Sequence, residues 1–122
     1  MRVILMLCLA LLPAGCSKEK STADLLTQLR DKDAARRVEA VKELGNRESD
    51  LDTVTPALIQ ALKDENAFVR RDAARVLGSF GPRASSAVSA LKTAQKDKER
   101  SVRKAADEAL EKIGAPNQKG SK

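Results

Sequence analysis

The chain repeats itself. Thr22–Gly45 lies over Thr55–Gly78 at an offset of 33 residues. Thr22 falls on Thr55, Leu25 on Leu58, Leu29 on Leu62, Asp31 on Asp64, Ala34 on Ala67, Arg37 on Arg70, Ala40 on Ala73 and Leu44 on Leu77. A second step of 33 pairs Leu58 with Leu91, Asp64 with Asp97, Val69 with Val102, Arg70 with Arg103, Leu77 with Leu110 and Gly81 with Gly114. A period of this length marks a stack of supersecondary units. No unit buries its apolar face alone, and about three are the minimum for a stable stack.

Each copy reads as two helices. In the middle copy Leu58, Ile59 and Leu62 share a face, and Pro56 after Thr55 suits a first helical position. A break follows at Lys63-Asp64-Glu65-Asn66. Val69, Ala73, Val76, Leu77 and Phe80 then recur at helical spacing, and Gly78, Gly81 and Pro82 mark the end. The first copy opens on Ser21-Thr22-Ala23-Asp24, a capping-box pattern with Asp in place of Glu. Two Phe, no Trp and no Tyr, in a chain that is one-third charged, agree with helices built on Ala and Leu. Ile59 and Leu62 become Lys92 and Gln95 in the third copy, as expected where a terminal repeat turns a polar face outward.

These segments, LLTQLRDKDAARRVEAVKELG, LIQALKDENAFVRRDAARVLGSFG and LKTAQKDKERSVRKAADEALEKIG, resemble the HEAT-repeat family, and its phycobilisome-lyase-like subgroup most closely. The resemblance spans about residues 22–114 and implies an all-α fold, a short α-α superhelix (HEAT/armadillo-like solenoid) of three helical repeats. It also implies a ladder between neighbouring repeats, made by an Asp in the turn and an Arg early in the second helix. Here those positions are Asp31, Asp64 and Asp97 with Arg37, Arg70 and Arg103. Carboxylates near helix N-termini also suit the helix dipole. The ladder reading predicts a cost of about 1–3 kcal/mol for Arg70→Ala.

The N-terminus carries a second signal. Met1-Arg2 precedes ten continuous apolar residues, Val3 to Leu12, too few to span a bilayer core, which needs about 20. Such a run matches the apolar region of a secretory leader. Ala14-Gly15-Cys16 follows and resembles the lipobox of bacterial lipoproteins, departing from it at Pro13, where Leu is usual. The expected layout is a signal peptide over residues 1–15, lipidation at Cys16, a tether over 16–21, the repeats over 22–114 and a disordered polar tail over 115–122. Cys8 leaves with the leader, so no disulfide is expected within the chain. By the same resemblance, Ser17 after Cys16 points to the outer membrane. An ordinary secretory leader with a free Cys16 and an uncleaved anchor are the alternatives.

The residues argue against catalysis. The chain has no His, which excludes Ser-His and Cys-His activation and Cys-His zinc sites within one chain. The resemblance extends to deoxyhypusine hydroxylase, whose iron is held by His-Glu pairs that this sequence cannot supply. No glycine-rich phosphate loop is present. Glu48, Asp50 and Asp52 read as a solvated acidic loop without a full calcium signature. No cofactor and no metal are therefore expected.

Lys plus Arg number 23 against 17 Asp plus Glu. Basic pairs recur at Arg36-Arg37, Arg70-Arg71 and Arg103-Lys104, but acidic residues interleave and no aromatics accompany them, so nucleic acid is not an expected partner. Val38, Lys42, Arg71, Arg75, Lys104 and Glu108 lie on the second helices at 33-residue spacing, off the apolar stripe, and are the expected contacts for a protein partner. The expectation is a non-enzymatic interaction module or scaffold, lipid-anchored in a bacterial cell envelope. The alternatives are a structural subunit that uses its solenoid ends and a lyase-like accessory protein.

Overall fold

The computed structural model describes residues 18–115, so the leader, Cys16 and all but the first residue of the tail lie outside the described residues. Six helices follow in order: α1 Thr22–Gln28, α2 Ala34–Leu44, α3 Leu51–Ala61, α4 Ala67–Ser79, α5 Val88–Ala94 and α6 Arg100–Ile113. There is no strand among the described residues. The protein is an α-α solenoid of three helix pairs.

Local chemistry sets most boundaries. At α1 the Ser21 hydroxyl accepts the Asp24 N–H at 3.1 Å, and Asp24 accepts the Ser21 N–H at 3.0 Å, so two orphan amides are satisfied reciprocally. Asp33 accepts the Ala35 N–H at 2.9 Å to cap α2, and Asn66 accepts the Phe68 N–H at 2.8 Å to cap α4. Gly114, at φ 93°, closes α6 in the left-handed conformation that favours glycine.

One boundary departs from the sequence reading. Pro56 is not at the start of its helix. A 3₁₀ turn, Glu48–Asp50, leads into α3 at Leu51, and Pro56 sits inside the helix. Val54 and Thr55 are buried on the core side of this added turn. Their burial outweighs the one amide bond that Pro56 cannot make. The third pair is entered differently, through a 3₁₀ segment Gly81–Ala87 broken at Ala84.

The core follows the period. Leu25, Leu58 and Leu91 from the first helices are fully buried, as are Leu44, Leu77 and Leu110 from the second. The second helices pack most tightly. A Cβ added at Gly78 would lie 2.7 Å from the Ala109 Cα, and one at Gly45 would lie 3.2 Å from Val76 Cγ1. By contrast, a groove of about 320 Å³ opens between α1 and α3 beside Leu26, Leu29 and Ala57. The close approaches draw α2, α4 and α6 into one layer, which is the concave side of a solenoid stacked in this way.

The two end faces are polar at the positions that pack inside. Val76 and Ala109 meet Gly45 and Gly78, and the outward-facing counterparts at the two ends are Glu43 and Glu111. The buried pair Leu62 and Ala74 recurs as Gln95 and Asp107, where Gln95 Nε2 donates to Asp107 Oδ1 at 2.7 Å. Ile59 and Leu62 line a groove with Ala90 and Ala94 of α5, so Lys92 and Gln95 stand on the corresponding outer face of the third pair. At the other end Lys20 pairs with Glu39 at 3.5 Å and with Glu43 at 3.7 Å.

Candidate functional site

The ladder residues sit where each turn meets the next helix pair. Arg37 Nε and Nη2 donate to the two Asp64 carboxylate oxygens at 2.9 and 3.1 Å. Arg70 repeats the fork onto Asp97 at 2.8 and 3.1 Å. Each arginine also turns Nη1 back to its own turn: Arg37 to the Asp31 and Lys32 carbonyls, Arg70 to those of Asp64 and Glu65. The partner aspartate therefore lies 27 residues on, in the next repeat, while the repeat's own aspartate contributes its carbonyl. Both arginines are 7% exposed, and bidentate charge-assisted bonds are what such burial requires.

Two rungs are complete. Among the described residues Arg103 keeps only the bonds to its own turn, from Nη1 to the Asp97 and Lys98 carbonyls, with no carboxylate opposite its Nε–Nη2 edge. Among the described residues Asp31 likewise receives no fork; Arg36 pairs with it at 3.6 Å. Burial works against ionisation of Asp97. Hydrogen bonds from Arg70 and the Glu99 N–H outweigh it and hold the carboxyl below its ordinary 3.8. The bond to Asp64 raises the pKa of the Arg37 guanidinium, against the effect of burial.

On the concave face Lys42, Arg75, Lys104 and Glu108 are exposed and Arg71 is half-buried. Val38 differs from them in chemistry. It is half-buried and packs against the core, because a short branched side chain at this edge position reaches only inward, whereas a long arginine carries its charge out. Lys104 pairs with Glu108 at 3.9 Å.

The centre of this face is Asp72. It is one of the acids that interleave with the basic pairs in the sequence, but it is 2% exposed. Arg71 Nε donates to its Oδ1 at 2.9 Å, while Arg75 Nη1 lies 3.9 Å from Oδ1 and Lys42 Nζ 4.0 Å from Oδ2. Oδ2 is buried and has no hydrogen-bond donor. Asp72 forms the floor of a groove of about 460 Å³ lined also by Lys42, Arg75, Val76, Ser79 and Lys112. Next to it the Arg71 guanidinium lies 5.1 Å over the ring of Phe68, a large hydrophobic side chain left 59% exposed. A signal for this was present: Asp72 stands three residues after Val69 and four before Val76, on the apolar stripe itself, flanked by two arginines.

The acidic stretch near Glu48 is not a loop. Glu48 and Asp50 form the 3₁₀ turn and Asp52 the first turn of α3. Glu48 pairs with Arg83 at 3.1 Å, and Asp50 accepts a bond from the Thr22 hydroxyl, so both tie neighbouring elements together. Among the described residues no group of three His, Cys, Asp or Glu is placed to hold a metal ion, and no helix is long and apolar enough to cross a membrane.

Paired helices at a 33-residue period, joined by an arginine–aspartate ladder, define a HEAT-type solenoid. The chain belongs to the HEAT-repeat family, whose profile matches residues 22–111. Among solved structures it is similar to the complex of CpcE and CpcF of phycocyanin lyase from Nostoc sp. PCC7120, with 30% identity and a TM-score of 0.70 over 84% of this chain and 40% of that one. It is also similar to human deoxyhypusine hydroxylase in complex with glycerol, at 30% identity and a TM-score of 0.65, over 75% of this chain and 31% of that one. The chain thus spans well under half the length of either protein. No curated protein matches it.

Proposed function

We propose that this chain is a non-enzymatic binding module that captures a protein partner on the concave face of α2, α4 and α6 and is held at a bacterial envelope membrane by a lipid on Cys16. The observation that carries the binding reading is the groove over Asp72: charged side chains gathered on a rigid layer of helices, with an aromatic ring exposed beside them. Exposed aromatic and arginine side chains of this kind are enriched among residues that dominate interface energetics. A similar fold occurs in an assembly of two proteins, CpcE and CpcF, which agrees with a binding role. The anchoring reading rests on the apolar run Val3–Leu12 followed by Ala14-Gly15-Cys16.

Two experiments test the proposal. The double variant Lys42→Glu, Arg75→Glu changes exposed side chains, in contrast to Arg71, which is bonded to Asp72. It is expected to abolish co-purification of the partner while the chain still unfolds in one cooperative melt; unaltered capture removes this face from consideration. The N-terminal peptide of protein purified from a bacterial membrane fraction is expected to begin at Cys16 and carry acyl chains. An unmodified peptide that retains Met1 would overturn the anchor.

A further inference from the structure

We infer that the groove over Asp72 accepts an extended acidic peptide segment of the partner, its carboxylates paired with Lys42, Arg75 and Lys112 and one of its backbone N–H groups given to Asp72 Oδ2. This rests on the protein-binding reading above and adds the chemistry of the occupant.

The charge balance gives the sign. Three cations line the groove against one carboxylate, and that carboxylate is already engaged by Arg71. Cations held by a buried acid are pre-positioned for an anion, and their bonds to it are charge-assisted.

The floor supplies the second requirement. Asp72 Oδ2 is a buried acceptor without a donor, and a buried polar atom in that state calls for a partner. Lys42 and Arg75 stand over Asp72 at 4.0 and 3.9 Å, too far for hydrogen bonds; Oδ2 is closed to solvent in this arrangement, and an anion that draws Lys42 outward uncovers it. The occupant must therefore bring carboxylates and a donor together. An extended peptide does this, because its side chains alternate in direction along a backbone rich in N–H groups.

Other anions fit less well. A nucleic-acid phosphate carries no donor for Asp72, and the exposed ring beside the groove, Phe68, already carries the Arg71 guanidinium over its face. A flat bilayer does not reach the floor of a concave face. The occupant is thus a strand-like acidic segment.

The test is fluorescence anisotropy on the full chain in detergent, with a labelled decapeptide of alternating Glu and Ala as the probe. Binding is expected, weakening by about tenfold or more on raising the salt concentration and on the double substitution Lys42→Glu, Arg75→Glu. N-methylation of the alanine amides removes donors and keeps every carboxylate. It is expected to weaken binding to the parent chain but not to Asp72→Leu. Should Asp72→Leu fail to fold, the N-methylated probe on the parent chain decides alone.

Equal binding of the two probes overturns the Asp72 contact. Equal binding of a peptide with Lys in place of Glu overturns the charge assignment. Direct binding of glycerol phosphate, read by calorimetry, with no binding of the acidic peptide assigns the groove to a lipid headgroup and overturns the inference. If partner capture is lost in the double variant while no acidic peptide binds, the binding-module reading stands and this inference falls. If capture and peptide are both indifferent to that variant, both fall.

Discussion

The inner junctions and the end faces of this solenoid use the same positions for opposite purposes. Inside, Gly45 and Gly78 let Val76 and Ala109 approach, and Leu62 and Ala74 are buried. At the ends the same register carries Glu43, Glu111, Gln95 and Asp107. The ladder differs in the same way: Arg37 and Arg70 reach across to an aspartate, and Arg103 holds only its own turn. A 33-residue repeat therefore has an inner grammar and a terminal one. Their difference argues against a role in which either end stacks on a like repeat, and it leaves the concave face as the better place for a partner.

The largest effect should come from breaking an inner rung and comparing it with an outer one. Arg70→Ala leaves Asp97 12% exposed without its counter-ion and frees two carbonyls, a loss of about 3 kcal/mol. Arg103→Ala should cost under about 1 kcal/mol. Urea denaturation of both variants checks the pair, and equal losses would erase the distinction between inner and outer rungs.

Next is the close approach of helices. Gly78→Ala places a methyl within 2.7 Å of the Ala109 backbone and should cost about 2 kcal/mol, whereas Glu111→Ala in the same register should fall within about 0.5 kcal/mol of the parent. Thermal melts of the two variants read this directly.

Acid should act on the inner rung too. The folded-state pKa of Asp97 lies below 3.8, so the unfolded chain takes up the proton first. The stability Asp97 contributes is fully present above that ordinary value and is lost as pH falls through the folded value. The melting difference between the parent chain and Asp97→Asn should accordingly shrink between neutral pH and about 3. A constant difference would mean that the carboxylate is not held by its charge.

The smallest effect on stability belongs to the end face. Gln95→Leu with Asp107→Ala restores the apolar pair of the inner junction and should leave the melt nearly unchanged while making the chain self-associate. Sedimentation at rising concentration would show it; a strictly monomeric double variant would mean that polarity at this face does not control association.

Much of the fold was legible because stacking dictates residue type at a fixed spacing. Leu25, Leu58 and Leu91 announce the buried side of the first helices, and an arginine six residues after an aspartate announces the ladder. The sequence did not reveal that Arg103, among the described residues, would bond only to its own turn, since that depends on what stands opposite it in space. The start of α3 was misread because Pro56 is a local signal, whereas the burial of Val54 and Thr55 is a tertiary one. Val38 packs against the core where its counterparts Arg71 and Lys104 are long enough to carry a charge outward, a difference that the shared 33-residue spacing does not show. Asp72 was missed because counting charges along a helix ignores whether a charge stands on the apolar stripe.

The shared guanidiniums also bear on how the molecule opens. Arg37 and Arg70 are each bonded to their own turn and to the following repeat, so the middle pair is fastened from both sides. The turn before α6 is fastened to its neighbour on one side only. Local unfolding should begin at such edges and reach the centre last. Amide hydrogens of α4 should then exchange with solvent more slowly than those of α6. The part of the groove that α4 supplies, Asp72 with Arg71 and Arg75, would stay in place through fluctuations that fray the ends, and a partner would meet that part of the surface ready-made.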